Sequence, residues 1–210
     1  MPRIVALSDT HCKHSMIQVP EGDILVHAGD ATSRGTLAEM KAFLTWFETQ
    51  PHQHKIFVAG NHDMLAADDH SLFEMLLEEH PTITYLEDSG TEIMGLRFYG
   101  TPWVSWCGDW AFVANSAERY EIWKQIPTET DVLVTHSPIY QILDLCKNGD
   151  KVGCQYLRDE VINRIKPKLL LHGHIHEAYG QHQLEHTLVA NCAQLNEVYQ
   201  PMYKPHILDL

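Results

Sequence analysis

The chain has 210 residues, enough for one well-filled core and thin for two. Asp and Glu total 28 against 15 Lys and Arg, a formal charge of −13, which argues against coating a long nucleic acid, because each phosphate contact wants a cationic side chain. Hydrophobic residues at 44% and charged residues at 20% describe a folded chain, and no apolar run approaches the roughly 20 residues of a membrane span. No signal peptide is visible after Met1-Pro2-Arg3. The five cysteines are odd in number and lack CxxC spacing, so reduced thiols and a cytoplasmic location are expected. Histidine occurs 15 times, as often as Lys and Arg together. It is the commonest metal ligand and the near-neutral proton carrier.

Five short apolar runs punctuate the chain, and each ends on residues that can bind a metal. Ile4–Leu7 runs into Ser8-Asp9-Thr10-His11, and Ile24–Ala28 into Gly29-Asp30. Ile56–Ala59 runs into Gly60-Asn61-His62-Asp63, Val132–Thr135 into His136, and Leu169–His172 into Gly173-His174-Ile175-His176. Runs apolar at every position read as strands buried on both faces. Ligands of open α/β sheets gather outside the carboxyl ends of strands. Five strand ends therefore bring metal-competent side chains to one region.

Between the runs, Thr36 and Glu39 form a capping-box pattern that opens a helix. Leu37, Met40, Leu44 and Phe47 give it an apolar stripe, and Pro51 marks its end. Ser71 with Glu74 predicts a second helix that stops before Pro81. Thr82–Leu86 and Glu92–Tyr99 predict strands around a turn near Asp88–Gly90. Asn115 with Glu118 predicts a third, short helix. A fourth carries Leu157, Val161, Ile162 and Ile165 and stops at Pro167. Leu188–Ala190 and His206–Leu208 read as closing strands. No repeat, linker or low-complexity tract interrupts the pattern.

Singly these motifs are weak. In the order Asp-x-His, Gly-Asp, Gly-Asn-His-Asp, His and Gly-His-x-His, over residues 9 to 176, the set resembles the calcineurin-like metallophosphoesterase superfamily. Tyr85–Asp88, Tyr99–Trp103, Thr135–Pro138 and Pro167–Glu177 resemble its MPPED-type subfamily, which is related to class III cyclic-nucleotide phosphodiesterases. The resemblance implies a single domain over residues 1–210. Its α/β fold would be a four-layer αββα sandwich, two packed mixed β-sheets with helices outside. It implies two divalent transition metals. Asp9, His11 and His176 would hold the first, Asn61, His136 and His174 the second, and Asp30 would bridge them. Mixed imidazole and oxygen ligands suit Mn, named first here, and also Fe, Co, Ni or Zn.

The family pattern leaves His62 off the metals and aims it at the leaving group as the catalytic acid, with Asp63 orienting it or capping the next turn. The implied reaction is phosphoester hydrolysis by in-line attack of a metal-bridging hydroxide. Small diesters such as 2′,3′- or 3′,5′-cyclic nucleotides are the favoured substrates. The rival readings are a phosphomonoesterase, such as a nucleotide phosphatase, and an inactive scaffold with the same fold. One departure stands out. Ser33 occupies the place where the superfamily's protein phosphatases carry the Asp that partners their catalytic His, which argues against a protein phosphatase. The expected partner is a small phosphoester, with neither long nucleic acid nor membrane, and the sequence leaves the oligomeric state open.

Other residues have plainer readings. His14, His52, His54, His70, His80, His182, His186 and His206 read as solvated surface histidines. His27 and His172, inside apolar runs, read as hydrogen-bonded core residues. Cys12 and Cys154 read as packing. Trp103, Trp106, Trp110 and Phe112 are core, partner patch or substrate wall, with Trp103 and Trp106, beside Asn61 and His62, taken as substrate contacts.

Overall fold

The computed structural model describes all 210 residues, Met1–Leu210. In chain order the elements are β1 (Arg3–Leu7), β2 (Ile24–Ala28), α1 (Leu37–Glu48), β3 (His54–Val58), α2 (Met64–Asp68), α3 (His70–Glu78) and β4 (Ile83–Tyr85). They continue as β5 (Ser89–Ile93), β6 (Leu96–Thr101), α4 (Ser116–Lys124), β7 (Val132–Thr135), α5 (Gln155–Glu160), β8 (Leu169–His172), β9 (Gly180–Gln183), β10 (Leu188–Asn191) and β11 (His206–Asp209). One sheet runs β11-β1-β2-β3-β4 and the other β5-β6-β7-β8-β10-β9. Inner strands pair in parallel, while β11, β5 and β9 add antiparallel edges.

Alternation along each strand explains why the runs are apolar throughout. Ile4, Ala6, Ile24, Val26, Ile56 and Val58 meet Val132, Val134, Leu169 and Leu171 between the two sheets. Their neighbours Val5, Leu7, Leu25 and Phe57 face the other way, under Phe43 and Phe47 of α1 and Phe73 and Leu76 of α3. Leu133, Leu170 and Val189 lie under Trp123 of α4 and Leu157 of α5. The result is a four-layer αββα sandwich. Phe43 is fully buried at its outer seam, where truncation to Ala costs about 3–5 kcal/mol.

Local signals hold where side chains set them. Thr36 and Glu39 close a full capping box on α1, as Asn115 and Glu118 do on α4. The stripe of α1 is Met40, Phe43, Leu44 and Phe47, while Leu37 in the first turn is 45% exposed. The second helix starts earlier than expected. Asp69, two residues before Ser71, accepts the Leu72 N–H at 3.1 Å, and the short α2 precedes it. Thr82–Leu86 and Glu92–Tyr99 are not partners. β4 pairs in parallel with β3, and the hairpin is β5-β6, turning at Met94-Gly95, both at positive φ. α5 winds on into a π turn over Val161–Ile165 and stops at left-handed Lys166, just before Pro167. No helix is long and apolar enough to cross a membrane.

Candidate metal centre

All five strand ends deliver their residues to one rim. Asp9, His11, Asp30 and His174 sit in left-handed backbone, at φ 52°, 38°, 56° and 71°. Such conformations cost non-glycine residues of order 1–3 kcal/mol and persist where the surroundings over-determine them. Here the Asp9 N–H donates to the Gly29 carbonyl at 2.9 Å and the His11 N–H to the Asp30 carbonyl at 3.1 Å, locking the β1 and β2 ends together. The motif glycines leave room for carboxylates. A Cβ on Gly60 would lie 2.3 Å from Asp30 Oδ1, and one on Gly173 2.1 Å from Asp9 Oδ2.

The donor atoms fall into groups. Asp9, His11 and His176 form one, Asp30, His136 and His174 a second, and His11, Asp30 and His62 a third that joins them. Within each group one donor atom per residue lies within 4.8 Å of the others. Asp30 Oδ2 is 3.2 Å from His136 Nε2 and 3.7 Å from His11 Nε2, so it stands between the two main groups. His11 Nε2 and His176 Nε2 approach to 3.2 Å. Asn61 Oδ1 and His136 Nε2 are buried with no hydrogen-bond partner. Buried polar atoms without partners are costly, and a cation between the groups would satisfy both.

Supporting contacts aim these donors. The Nδ1–H of His11, His136 and His176 donates to the carbonyl of Thr32 (3.1 Å), Ala28 (2.8 Å) and Asn196 (3.0 Å), leaving each Nε2 turned inward. Asp9 accepts the His174 N–H at 3.0 Å and the Ser8 hydroxyl, and Asp30 accepts the His62 N–H at 2.8 Å. The electrostatics follow the carboxylates. Burial disfavours the imidazolium of His136, but the charge and contact of Asp30 override it and lift its pKa to about 9. His176 rises to about 9 against the same burial, through Asp9. Asp9 and Asp30 are held below the usual carboxylate range despite burial, by His176 and His136 respectively. Burial dominates at His11 and His174, which fall to about 4. This nitrogen and oxygen set fits two divalent transition metals.

His62 stands at the cleft edge. Its Nδ1–H donates to the Ser33 carbonyl at 2.8 Å and its ring lies on Trp110, centroids 4.0 Å apart. Asp63 does not orient it. The Asp63 carboxylate is buried and accepts from the N–H groups of Gly60 (2.8 Å) and Thr32 (2.9 Å) and from the Thr32 hydroxyl (2.8 Å), tying the β2 and β3 loops together. Burial and Asp30 push its pKa up to about 6. It precedes α2 without a capping bond from its side chain.

The cleft over the donors has a volume of about 350 Å³, and its walls include Cys107, Trp110, Glu177, Glu197 and Tyr199. Trp103 and Trp106 are not among them. Trp103 donates its Nε1–H to Asp88 at 2.7 Å and packs on Phe112, while Trp106 is 78% exposed. The aromatic walls are Trp110 and Tyr199, and the Tyr199 ring meets His11 and His176 at 4.9 and 5.1 Å. Tyr199 and Glu197 sit in an irregular segment outside the strand-end pattern, and Glu177 directly follows His176 in a short 3-10 turn, His176–Ala178.

Four histidines read as solvated are buried: His14, His52, His80 and His206. His14 packs on Trp46, His80 pairs with Glu48 at 2.7 Å, and His206 Nε2 donates to the Asn191 carbonyl. His27 and His172 are fully buried, as expected of core residues, and Cys154 accepts the Trp123 Nε1–H. Cys12 is only partly buried, and all five cysteines are free.

A rim of carboxylates and imidazoles at the strand ends of a four-layer sandwich defines a metallophosphoesterase-type site. The calcineurin-like phosphoesterase family model matches residues 2–178, and the chain belongs to that family. Within it, the chain groups with the metallophosphoesterase domain-containing proteins. It is 35% identical to human metallophosphoesterase domain-containing protein 1, over 99% of this chain and 71% of that one. A Caenorhabditis elegans UPF0046 protein is 34% identical over 99% of this chain and 80% of its own length. The crystal structure of TT1561 from Thermus thermophilus shares the fold at TM-score 0.66 and 13% identity, covering 90% of this chain and 88% of that one.

Proposed function

We propose that this chain hydrolyses small phosphodiesters, 2′,3′- or 3′,5′-cyclic nucleotides among them, with two divalent metals, manganese first among the candidates. The observation that carries the diester reading is the charge of the cleft wall. No Lys or Arg lines it, and Glu177 and Glu197 do. Glu197 pairs with Lys147 at the surface, and Glu177 accepts the Lys147 backbone N–H. A diester carries one negative charge and a monoester close to two, so the wall penalises the monoester more. Every position of the expected donor set is filled, which favours an enzyme over a scaffold.

Asp9, His11 and His176 would hold one cation and Asn61, His136 and His174 the other, with Asp30 shared. Bound there, the cations would polarise the phosphoryl oxygens and acidify a water. The side chains supply the rest. The Ser33 carbonyl keeps a proton on His62 Nδ1, so when the ring carries a second proton that proton sits on Nε2, which gives it to the departing oxygen and leaves the neutral Nδ1–H tautomer. Trp110 and Tyr199 offer flat faces to a base or aryl group. The test assays Mn-reconstituted protein on matched monoesters and diesters, including both kinds of cyclic nucleotide. Faster turnover of diesters is expected, and activity confined to monoesters overturns the reading.

A further inference from the structure

We propose that Trp110 is a positioning residue that acts through His62, replacing the second anchor that a carboxylate at position 33 would provide. The proposal rests on the leaving-group role given to His62 above. One hydrogen bond to a backbone carbonyl fixes one atom of an imidazole and leaves the ring free to swing about that contact. At His62 that single bond is the one to Ser33. A carboxylate would offer a charged acceptor with two oxygens, and the Ser33 side chain instead donates to the His11 carbonyl at 3.2 Å. What stops the swing is packing. The Trp110 indole lies over one face of His62 at 4.0 Å and 31°, and His11 meets it edge-on at 4.7 Å and 88°.

The indole is itself held. The Ala111 N–H donates to the Asn61 carbonyl at 3.1 Å, so the segment bearing Trp110 is bonded to the segment bearing His62. Phe112, buried and left-handed at φ 52°, anchors the next position, and its carbonyl accepts the Val104 N–H at 2.9 Å. Trp110 therefore reports the position of the Asn61-His62 loop and fixes the ring that projects from it. Both residues line the same cleft. Misplacing a catalytic group by about 1 Å can cost on the order of 100-fold, so a ring freed on one side should cost tens-fold where proton donation matters.

The experiment compares wild type, Trp110→Ala, Trp110→Phe, His62→Ala and His62→Ala/Trp110→Ala after Mn reconstitution. The readout is kcat/KM on a ribose or alkyl diester and on a nitrophenyl diester, with elemental analysis of metal. Trp110→Ala should keep its metals and lose about 10- to 100-fold on the alkyl diester, mainly in kcat, with less on the nitrophenyl one. Trp110→Phe should recover most of the loss. In the His62→Ala background, removing Trp110 should change little further. Proton NMR of the metal-free protein gives a reading without turnover. The His62 ring C–H signals should lie upfield under the indole and move downfield in Trp110→Ala. Additive losses in the double variant, or unmoved His62 signals, overturn the positioning role. Equal losses of His62→Ala on both diesters overturn the acid role alone, because additivity still decides the part played by Trp110.

Discussion

His27 and His136 are both fully buried, yet the fold drives them in opposite directions. His27 projects from β2 into the outer core, among Phe43, Phe47 and Phe57 at 4.9–6.2 Å, and burial pushes its pKa down to about 3. His136 ends β7 with its Nε2 3.2 Å from Asp30, and that carboxylate overcomes the same burial and raises it to about 9. Burial alone makes a histidine an inert, neutral packing residue. A carboxylate within contact favours its charged form and keeps it available. The lesson extends along the chain. His172, just before the Gly-His-x-His motif, is pressed to about 4 by burial, whereas His176 is lifted by Asp9.

The largest expected effect is at the carboxylate that both histidine-rich groups share. Asp30→Asn keeps the shape but removes the charge beside His136 and His11. It should strip metal from both groups, with losses in kcat/KM beyond the 10–100-fold typical of outer-contact mutations. His136→Ala should empty mainly the second group and His176→Ala the first. Elemental analysis decides, and two metals retained by Asp30→Asn would end the shared-ligand assignment.

Removing metal should also cost stability. A ligand bound only to the native state stabilises by about 3–4 kcal/mol at 100–1,000 times Kd. For a chain of this size that is roughly a 10 °C fall in melting temperature on chelation. Equal melting temperatures with and without chelator at pH 7.5 would refute the linkage.

The opposite pKa directions predict a proton signature. In the metal-free protein His136 and His176 titrate near 9, while metal ligation needs neutral imidazoles. Metal uptake at pH 7 should therefore release about two protons, seen as a buffer-dependent heat in calorimetry. The sign for folding follows from the raised values. Both histidines bind protons more tightly folded than unfolded, so their contribution is full below about 6.5 and lost as pH rises through about 9. Metal-free protein should lose melting temperature over that window, and the loss should shrink by about half in Asp30→Asn, where only the share of His136 is removed and Asp9 still raises His176. Buffer-independent heats would contradict it.

How much of this could be read from residues alone depended on what set each feature. Strands covered on both sides must be apolar throughout, so β1, β2, β3, β7 and β8 and the metal-competent residues that gather at their ends were legible, and with them the layered fold. Capping boxes are local, so α1 and α4 were legible too. β9, with the sequence Gly-Gln-His-Gln on an exposed edge, carries no apolar pattern to find. The β5-β6 turn was missed because Asp88-Ser89-Gly90 is a stronger turn signal than Met94-Gly95, while the pairing of β4 with β3 in one sheet and of β6 with β7 in the other decided the outcome. Buried His80 and His14 owe their places to Glu48 and Trp46, partners 32 residues away, and no local spacing announces them. The cleft wall was illegible for the same reason. Trp103, Trp106 and Trp110 lie within eight positions of one another, and only the turn geometry selects Trp110.

The smallest expected effect is at the core histidine, where the contrast is most exposed to test. His27→Leu replaces a buried neutral ring with an aliphatic side chain in an aromatic pocket. It removes one hydrogen bond, Thr10 Oγ1 to His27 Nε2 at 3.0 Å, a net loss of about 0.5–1.5 kcal/mol. It also removes His27 Nδ1, which is buried without a partner, and an unsatisfied group costs about 1–3 kcal/mol. The two nearly cancel, so the melting temperature should move by no more than about 4 °C in either direction. Thr10 stands between Asp9 and His11, and its hydroxyl also reaches the Ala31 carbonyl at 3.4 Å, which keeps it anchored when His27 is gone. Two metals per chain and kcat/KM within about twofold of wild type are therefore expected. Loss of a metal, or a tenfold fall in activity, would show that His27 supports the first metal group through Thr10 and that burial alone does not make a histidine inert.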